Sequence, residues 1–411
     1  MKILQICNKI PYPFNEGSSI AINLITDGLI KRNNKVKLLA INTPKHFIEL
    51  ANIPEDYRKK TNIESVFVDT DVKFIYAFLN LFSNKSYNII RFYDETFEKK
   101  LIEVLKSEIY DVVQIESIFI APYLETIRKY SNAKVVMREH NIEFLIWQRL
   151  SQSCKNPLKK FYLDILFKRL KKYEMTMLDR YDGIAAISGI DVETIKKLGC
   201  RIPVTNIPIG INIENYDIQN KGEEFPSLFH IGSMNWMPNQ EAVKWFVNNV
   251  WQSVLKRYPQ LKFYLAGKKA PMWLKNINVP NVTFVGEVES AKDFMLSKSI
   301  MVVPLLSGSG MRVKIIEGMA LGKTIISTTI GAEGIDCTNG ENILIADTPE
   351  EFLLAIGKCI EDKDYCKKIG NNARQLIVEK YNNDMIIEKL VGFYQELNKK
   401  HLQEPDNNSA F

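Results

Sequence analysis

The residues with the most evident chemical potential lie in the stretch SGSGMRVKIIEG, residues 307–318. A loop there leads from a predicted strand into a predicted helix, and it consists of Gly308, Ser309, Gly310 and Met311. The first N–H groups of a helix and its dipole attract an anion. Arg312 and Lys314 add positive charge in the first turn, where cations are unfavourable unless an anion binds. The stretch therefore predicts an anion site.

Glu317 follows Arg312 by five residues, roughly 7 to 8 Å along a helix axis at 1.5 Å per residue. A carboxylate there could accept hydrogen bonds from the vicinal hydroxyls of a sugar while phosphates stay at the helix start. This arrangement suits a nucleoside diphosphate. The alternative is a surface helix with an ordinary Lys314–Glu317 ion pair.

Other glycines follow the predicted strands of the second half, in the pairs Gly232-Ser233, Gly267-Lys268 and Gly286-Glu287. Ligands of open parallel sheets bind beyond the carboxyl ends of the strands. Each glycine alone also suits an ordinary turn, so only the group indicates a ligand. In the first half, His140 directly follows a predicted strand, although a lone histidine is more often structural.

Short apolar runs rich in Val and Ile alternate with helical patterns along the chain, which indicates an α/β fold with parallel sheets. The first series covers residues 2–7, 35–41, 111–116, 133–139 and 183–188. The second covers residues 228–233, 261–267, 282–286, 300–305, 324–328 and 342–346. Polar residues 220–227 between the series predict a linker. Thr348 and Glu351 predict a capping box at a helix start.

The 411 residues, with 46% hydrophobic content, suffice for two cores, since single cores stop growing at roughly 250 to 300 residues. A formal charge of +6 is too small to indicate nucleic acid. We find no secretory leader and no apolar run of about 18 residues. Six cysteines without CxxC spacing suit reduced thiols. We expect a cytoplasmic protein.

The Asp-Thr-Asp sequence at 69–71 is a candidate for metal-binding carboxylates. It lies far along the chain from the phosphate loop, where Arg312 and Lys314 already supply the charge that Mg²⁺ would bring. We therefore expect no metal and no cofactor.

Several motifs together resemble the retaining, nucleotide-sugar-dependent glycosyltransferases of family 4. They are IPYPFNEGSS, REHNIEF, RYDGIAAIS, PIGIN, LFHIGSMNWMPN, VTFVGEVES and PLLSGSGMRVKIIEGMALGKTIISTTIGAEGI. The resemblance implies the GT-B fold, with two Rossmann-like domains that face each other across a cleft. The expected domains are residues 1–212 on the acceptor side, 213–383 on the nucleotide-sugar side, and a helix, 384–402, that returns to the first domain.

The resemblance also implies roles for individual residues. Glu317 would bind the ribose, the loop 308–311 the diphosphate, and Val285-Gly286 the base, with Gly232 and Ser233 also on the donor side. His140, in the cleft, would bind the transferred sugar or support positive charge at its anomeric carbon. The acceptor side would include Gly17, Ser18, Glu139 and Asn141.

The sequence departs from the family pattern at two places. Ser309 stands where the family has a glutamate eight residues before Glu317. The family's Arg and Lys after the first strand of the second domain are replaced by GSMNWMPN, residues 232–239. Arg312 and Lys314 would take over the phosphate-binding charge.

The resemblance implies transfer of a sugar from a nucleotide-sugar donor to a glycan or lipid-linked acceptor, in cell-surface polysaccharide or glycoconjugate synthesis. The alternatives are a GT-B nucleotide-sugar epimerase and a non-catalytic sugar-binding protein. The apolar residues 74–82 and the lysine-rich residues 155–174 could rest on an anionic membrane surface. Equally, they could be a core segment and a solvated helix face.

Overall fold

The structure is a computed structural model that describes residues 1–14, 17–218, 222–308 and 310–403, without the side chains of residues 400–403. The chain divides into two compact units. The first comprises Met1–Pro208 together with the chain from Ile386, and the second comprises Ile209–Met385. Each unit contains one parallel sheet with helices, which confirms the predicted α/β class.

The sheet of the first unit has seven strands in the described residues, in the order β3-β2-β1-β4-β5-β6-β7. They are β1 (Lys2–Cys7), β2 (Lys35–Asn42), β3 (Glu64–Phe67), β4 (Val112–Ile115), β5 (Lys134–Glu139), β6 (Gly183–Ala186) and β7 (Val204–Asn206). Every adjacent pair is parallel. The central strands are buried apolar runs because helices cover both faces of such a sheet.

Ten helices of the described chain belong mainly to this unit. They are α1 (Gly17–Lys31), α2 (Glu55–Thr61), α3 (Phe74–Asn80), α4 (Tyr87–Ile90), α5 (Glu95–Ser107), α6 (Leu124–Tyr130), α7 (Glu143–Ser153), α8 (Pro157–Met177), α9 (Gly189–Lys197) and α17 (Asn383–Gln403). Leu390 and Tyr394 of α17 are buried in one cluster with Ile3 and Leu38 of the sheet. Within the described ranges, no helix combines the length and the hydropathy that a bilayer crossing requires.

The sheet of the second unit has six strands in the described residues, in the order β10-β9-β8-β11-β12-β13. They are β8 (Glu224–Ile231), β9 (Phe263–Ala266), β10 (Val282–Gly286), β11 (Lys298–Val303), β12 (Thr324–Ser327) and β13 (Leu344–Ile345). The helices are α10 (Met237–Phe246), α11 (Gln252–Arg257), α12 (Met272–Lys275), α13 (Ala291–Leu296), α14 (Val313–Ala320), α15 (Pro349–Glu361) and α16 (Lys363–Lys380). One π-helical turn, Val247–Trp251, joins α10 to α11.

All eleven strands predicted from the sequence are present, with differences of a few residues at their ends. Two short strands, β3 and β7, were not predicted. The polar stretch predicted as a linker overlaps a strand, because β8 already begins at Glu224. The capping box of Thr348 and Glu351 is confirmed at the start of α15.

Candidate functional site

The glycine loop after β11 adopts a backbone conformation that favours glycine. Gly308 has a φ of +116° and Gly310 a φ of +77°. A Cβ atom on Gly308 would also lie 2.9 Å from Arg312 Nη2 and 3.1 Å from the Trp236 ring. Both glycines are therefore required by the local conformation, and the loop packs closely on its neighbours. Ser309 lies outside the described residues.

Arg312 precedes α14, which begins at Val313. The side chain is buried, with 9% of the residue exposed. Its guanidinium carbon lies 5.5 Å from the centroid of the Trp236 ring, and its Nη1 donates to the carbonyl oxygen of Gly310. The predicted cation thus lies beneath the glycine loop, at the helix start. We assigned no role to Trp236 from the sequence, although it lies in the loop after β8, the strand paired with β11.

Glu317 binds two neighbours, one through each carboxylate oxygen. Its Oε2 lies 2.8 Å from Lys314 Nζ, so the ion pair that the sequence left open as an alternative is formed. Its Oε1 accepts a 2.9 Å hydrogen bond from the Tyr216 hydroxyl. Burial and the nearby Glu317 carboxylate raise the pKa of Tyr216, which keeps the hydroxyl protonated as a donor.

A pocket of about 130 Å³ opens beside Glu317. Its lining comprises Asn215, Tyr216, Ala291, Lys292, Met295, Glu317 and Leu321. The Lys292 ammonium donates to the Asn215 carbonyl oxygen at 2.7 Å, which ties α13 to the segment that carries Tyr216. A partly buried carboxylate therefore borders an open pocket on the helix that starts at the glycine loop.

The glycines after β8 and β9 have a structural explanation. The N–H of Gly232 donates to Ala266 at 3.1 Å, and the N–H of Gly267 donates to Gly286 at 2.8 Å. A Cβ atom on Gly267 would lie 1.8 Å from the carbonyl oxygen of Gly232, and one on Gly232 would lie 2.5 Å from Asn239 Nδ2. These N–H groups form hydrogen bonds between neighbouring strands. Because glycine has no side chain, the backbone at Gly267 can pack directly against that at Gly232.

The other predicted donor residues of this unit lie at the same edge of the sheet. The Ser233 hydroxyl donates to Asn235 Oδ1 at 2.7 Å. Val285 is exposed near the end of β10, and Gly286 follows it with a φ of +90°. Donor binding by Gly232, Ser233, Val285 and Gly286 stays a prediction.

In the first unit, His140 directly follows β5 and is held by a carboxylate. Its Nε2 lies 2.8 Å from Oε2 of Glu116, the residue after β4. Glu116 is buried, and its Oε1 accepts from the side-chain amides of Gln5, at 3.0 Å, and Gln114. We did not identify Glu116 from the sequence, where it is only the last residue of a predicted strand.

Two further hydroxyls orient the amides that bind Glu116. The Gln5 amide oxygen accepts from the Thr26 hydroxyl of α1 at 2.7 Å, and the Gln114 amide oxygen accepts from the Tyr394 hydroxyl of α17. Burial and the Glu116 carboxylate raise the pKa of Tyr394. The imidazole of His140 is therefore connected to two helices through a buried polar network.

Of the predicted acceptor-side residues, Glu139 lies in a buried acidic cluster with Glu143 and Glu174. Burial and these neighbouring carboxylates raise the pKa of Glu139 well above its usual value. Burial also raises the pKa of Glu143 to about 7 and that of Glu174 to about 8. The Glu174 carboxylate accepts from the N–H groups of Glu143 and Phe144 at 3.0 and 3.2 Å, and so caps the start of α7.

The remaining acceptor-side residues lie at two helix starts of the first unit. Gly17 and Ser18 are the first residues of α1, and Asn141 hydrogen-bonds the Glu143 carboxylate. Their acceptor-side role, and the position of His140 in a cleft, stay predictions.

The carboxylates at 69–71 are engaged locally. Asp69 forms a 2.9 Å ion pair with Lys73 and accepts from the N–H of Asp71 at 3.1 Å. Across the described residues, no group of three or more His, Cys, Asp or Glu side chains is arranged to hold a metal ion.

Comparison with known proteins identifies the second unit. Residues 225–362, from β8 through α15, match the family model of glycosyl transferases group 1. A Klebsiella pneumoniae protein, described as an uncharacterized 44.6 kDa protein in the cps region, is 23% identical over 402 residues, which cover 95% of this chain and 98% of that protein.

Two solved structures are similar over nearly the whole chain. Sucrose-phosphate synthase from Thermosynechococcus elongatus has a TM-score of 0.72 at 14% identity, over 97% of this chain and 100% of that one. HepE from Anabaena, solved in complex with UDP-glucose, has a TM-score of 0.66 at 13% identity, over 96% and 100%. At these identities the similarity is one of fold. Residues 225–362 form a glycosyl transferases group 1 domain, and the chain is a glycosyltransferase with the GT-B fold.

Proposed function

We propose that this protein is a retaining glycosyltransferase that moves a sugar from a nucleotide diphosphate-sugar to a glycan or lipid-linked acceptor. We place it in the cytoplasm, in cell-surface polysaccharide or glycoconjugate synthesis. The observation that carries the donor assignment is Glu317, which Tyr216 holds at the border of an open pocket. The same helix starts at the Gly308–Gly310 loop.

The geometry of α14 suits a ligand that is anionic at one end and carries hydroxyls at the other. Backbone N–H groups at the helix start would bind the diphosphate. Glu317 follows Val313 by four residues, about 6 Å along the axis at 1.5 Å per residue. A nucleoside diphosphate whose phosphates occupy the helix start would therefore present its ribose hydroxyls to the Glu317 carboxylate.

The ion pair between Lys314 and Glu317 is compatible with this role. An exposed pair within one helix contributes only about 0.3 to 0.5 kcal/mol, and the Lys314 side chain is partly exposed. Donor binding would exchange partners: the ammonium would turn to a phosphate, and Oε2 of Glu317 would accept from the ribose. The Tyr216 hydroxyl would keep Oε1 in place during the exchange.

The chemical step requires stabilisation of the departing diphosphate and of an electron-poor anomeric carbon. Fixed charges that face developing charge supply much of such catalysis. Arg312 and Lys314 would stabilise the leaving group without a metal ion. His140 would bind the transferred sugar or support the positive charge, and its contact with the buried Glu116 suits that role. Retention of configuration rests on the resemblance to family 4.

Two of the comparisons support finer parts of the proposal. The complex of HepE with UDP-glucose makes uridine diphosphate sugars the first donors to test. The relative in the cps region is in keeping with polysaccharide synthesis.

The test is a thermal-shift screen of UDP-, GDP- and ADP-sugars, followed by product analysis. A donor at a hundred times its dissociation constant should add about 2.7 kcal/mol of stability. The stabilising donor is then incubated with and without candidate acceptors, and NMR reports the anomeric configuration of the product. Transfer with retained configuration supports the proposal.

Three other outcomes contradict it. Epimerisation of the donor without an acceptor would identify a nucleotide-sugar epimerase. An intact donor that binds tightly, whichever acceptor is added, would identify a sugar-binding protein. Transfer with inverted configuration would support glycosyl transfer but refute the retention of anomeric configuration.

A further inference from the structure

Helix α3 and Phe82, two residues after its end, expose an unusual amount of apolar surface. Six large apolar side chains are exposed to solvent: Phe74, Ile75, Tyr76, Phe78, Leu79 and Phe82. Phe74 alone is 90% exposed. Single exposed apolar residues are normal on proteins, but a contiguous group indicates an interaction site. The apolar residues predicted as either core or membrane contact are therefore mostly not core.

Helix α8, which packs on α3, also exposes apolar side chains at its start. Leu158 is 82% exposed, and Phe161, one turn later, is exposed as well. Leu163 and Leu166 of the same helix turn inward and pack with Ala77 of α3. We call the exposed apolar residues of α3, Phe82, Leu158 and Phe161 the α3–α8 face.

The two helices are also joined by hydrogen bonds. The Arg169 guanidinium of α8 donates to the carbonyl oxygens of Asn80, at 2.8 Å, and Leu81, at 2.9 Å. Both carbonyls lie at the end of α3, and the Asn80 carbonyl also accepts from the N–H of Ser83 at 2.9 Å. The α3–α8 face is thus held on the first unit by packing and by a cation, and it is not a loosely attached segment.

Positive charge surrounds this face. Lys155, Lys159 and Lys160 are exposed at the start of α8, and Lys85 and Lys168 are exposed nearby in the sequence. In the described part of the chain none of these five lysines forms an ion pair. The neighbouring Asp164 carboxylate is engaged by the Ser151 hydroxyl, and Asp69 by Lys73. Asp71, three residues before α3, is exposed as well, but the five lysines outnumber it, so the local balance is cationic.

We propose that the α3–α8 face is a docking surface for an anionic lipid bilayer. Its aromatic and aliphatic side chains would enter the boundary between headgroups and acyl chains, while the lysines would contact anionic headgroups. Aromatic side chains favour this boundary, and lysines favour the headgroup layer above it. The protein would lie on the membrane surface and would not cross it.

The lysines decide between a bilayer and a second copy of this chain. A twofold-symmetric dimer through this face would place the same patch on both sides and so bring lysines close to lysines. Like charges in contact weaken such an interface. An anionic bilayer supplies the opposite charge and an apolar layer at once. This inference does not depend on the identity of donor or acceptor, although it suits a lipid-linked acceptor.

The experiment is co-sedimentation of the full chain with vesicles. One set contains phosphatidylcholine alone, and the other contains equal parts of phosphatidylcholine and phosphatidylglycerol. We expect binding to the anionic vesicles at about 0.1 M salt and much weaker binding at about 1 M salt, where the screening length falls from about 10 Å to about 3 Å. No donor sugar is present, so the result is independent of glycosyl transfer.

Two double variants separate the two kinds of contact. Lys159→Gln with Lys160→Gln should lower the partition coefficient about fivefold for each lysine lost. Phe78→Ser with Phe82→Ser should lower it at least tenfold. Because all four side chains are exposed, the melting temperature should stay close to that of the unaltered protein.

Matched controls lie elsewhere on the same unit. Lys99→Gln with Lys197→Gln removes two exposed lysines, and Ile109→Ser removes a side chain that is 89% exposed. These controls should bind vesicles like the unaltered protein.

Three results would overturn the proposal. They are equal binding to both vesicle types, unaltered binding by both double variants, and a dimer in light scattering without lipid that the phenylalanine variant abolishes. The last would assign the face to a second copy of the chain. Failure of the donor screen would leave the vesicle result unchanged, so the two proposals fail separately.

Discussion

Glutamine at position 116 would retain the size of Glu116 but change what it offers to His140. In the structure, Glu116 Oε1 accepts from the amides of Gln5 and Gln114, and Oε2 faces His140 Nε2 at 2.8 Å. A carboxylate can only accept, so the Nε2 atom that faces it carries a proton. Glu116→Gln should reverse this arrangement.

The reversal follows from the two amides that bind Oε1. They are donors, so the new side chain must place its oxygen toward them and its NH₂ group toward His140. Nε2 must then accept, and the proton moves to Nδ1. The other orientation would put the new NH₂ group against two N–H donors in a buried place, and an unsatisfied buried donor costs about 1 to 3 kcal/mol.

The expected loss of rate comes from the hydrogen bond to a charged acceptor. Such bonds contribute about 1.5 to 3 kcal/mol, which corresponds to about ten- to 150-fold in rate at 1.36 kcal/mol per factor of ten. We expect a fall of this size in kcat for Glu116→Gln, with nucleotide affinity unchanged. His140→Ala, which removes the imidazole altogether, should reduce kcat by at least as much.

Two measurements check the prediction. Nitrogen-15 NMR of labelled histidine distinguishes the Nε2–H from the Nδ1–H tautomer, and steady-state kinetics at saturating donor gives kcat. Glu98→Gln is the matched control: Glu98 of α5 likewise accepts from two hydroxyls, those of Tyr93 and of Thr126 in α6, and the variant should keep full activity.

The reasoning would be refuted by a Glu116→Gln variant with the original tautomer or with full turnover. A loss of activity that merely follows a lower melting temperature would assign Glu116 a structural role. The melting temperature of each variant is therefore measured together with its kcat.

Three further predictions concern the second unit and the acidic cluster. Lys314→Ala should lower turnover strongly, and activity should survive excess EDTA; restoration of chelated enzyme by Mg²⁺ would contradict this charge assignment. Glu317→Gln should weaken nucleotide binding by about 1 to 3 kcal/mol, and Tyr216→Phe by about 0.5 to 1.5, measured by calorimetry; equal affinities would remove the carboxylate from the ribose site. The folded state raises the pKa of Glu174 to about 8, so its stabilising contribution is complete below the unfolded value and declines as pH rises to about 8. The melting temperature should fall over that range and fall less in Glu174→Gln; parallel curves would refute the linkage.

The parts of the fold that the sequence predicts are those with local causes. Buried parallel strands are continuous apolar runs, so the central strands were found from composition. The missed strands, β3 and β7, are the two edges of the first sheet and are only partly buried. An edge strand needs no apolar run because one side has no neighbour, and the pairing partner that defines it is distant in the sequence.

The same distinction applies to the candidate site. The glycine loop, the helix start and Glu317 lie within ten residues and were identified together. Tyr216, which holds Glu317, is 101 residues away, and no local pattern connects the two. Glu116 likewise reaches His140 only because β4 and β5 are neighbours in the sheet. Residues that position others are therefore the ones that sequence patterns miss.

Arg312 shows how tertiary contacts change the meaning of a predicted residue. A helix start with a cation in its first turn predicts an exposed charge, but the positive φ angles of Gly308 and Gly310 turn the loop back over the side chain. The guanidinium then lies against the Trp236 ring and the Gly310 carbonyl. A planar guanidinium can stack on an aromatic face and still present N–H groups at its edge, whereas an ammonium cannot. The position is therefore specific for arginine, and its charge is fixed in place before any anion arrives.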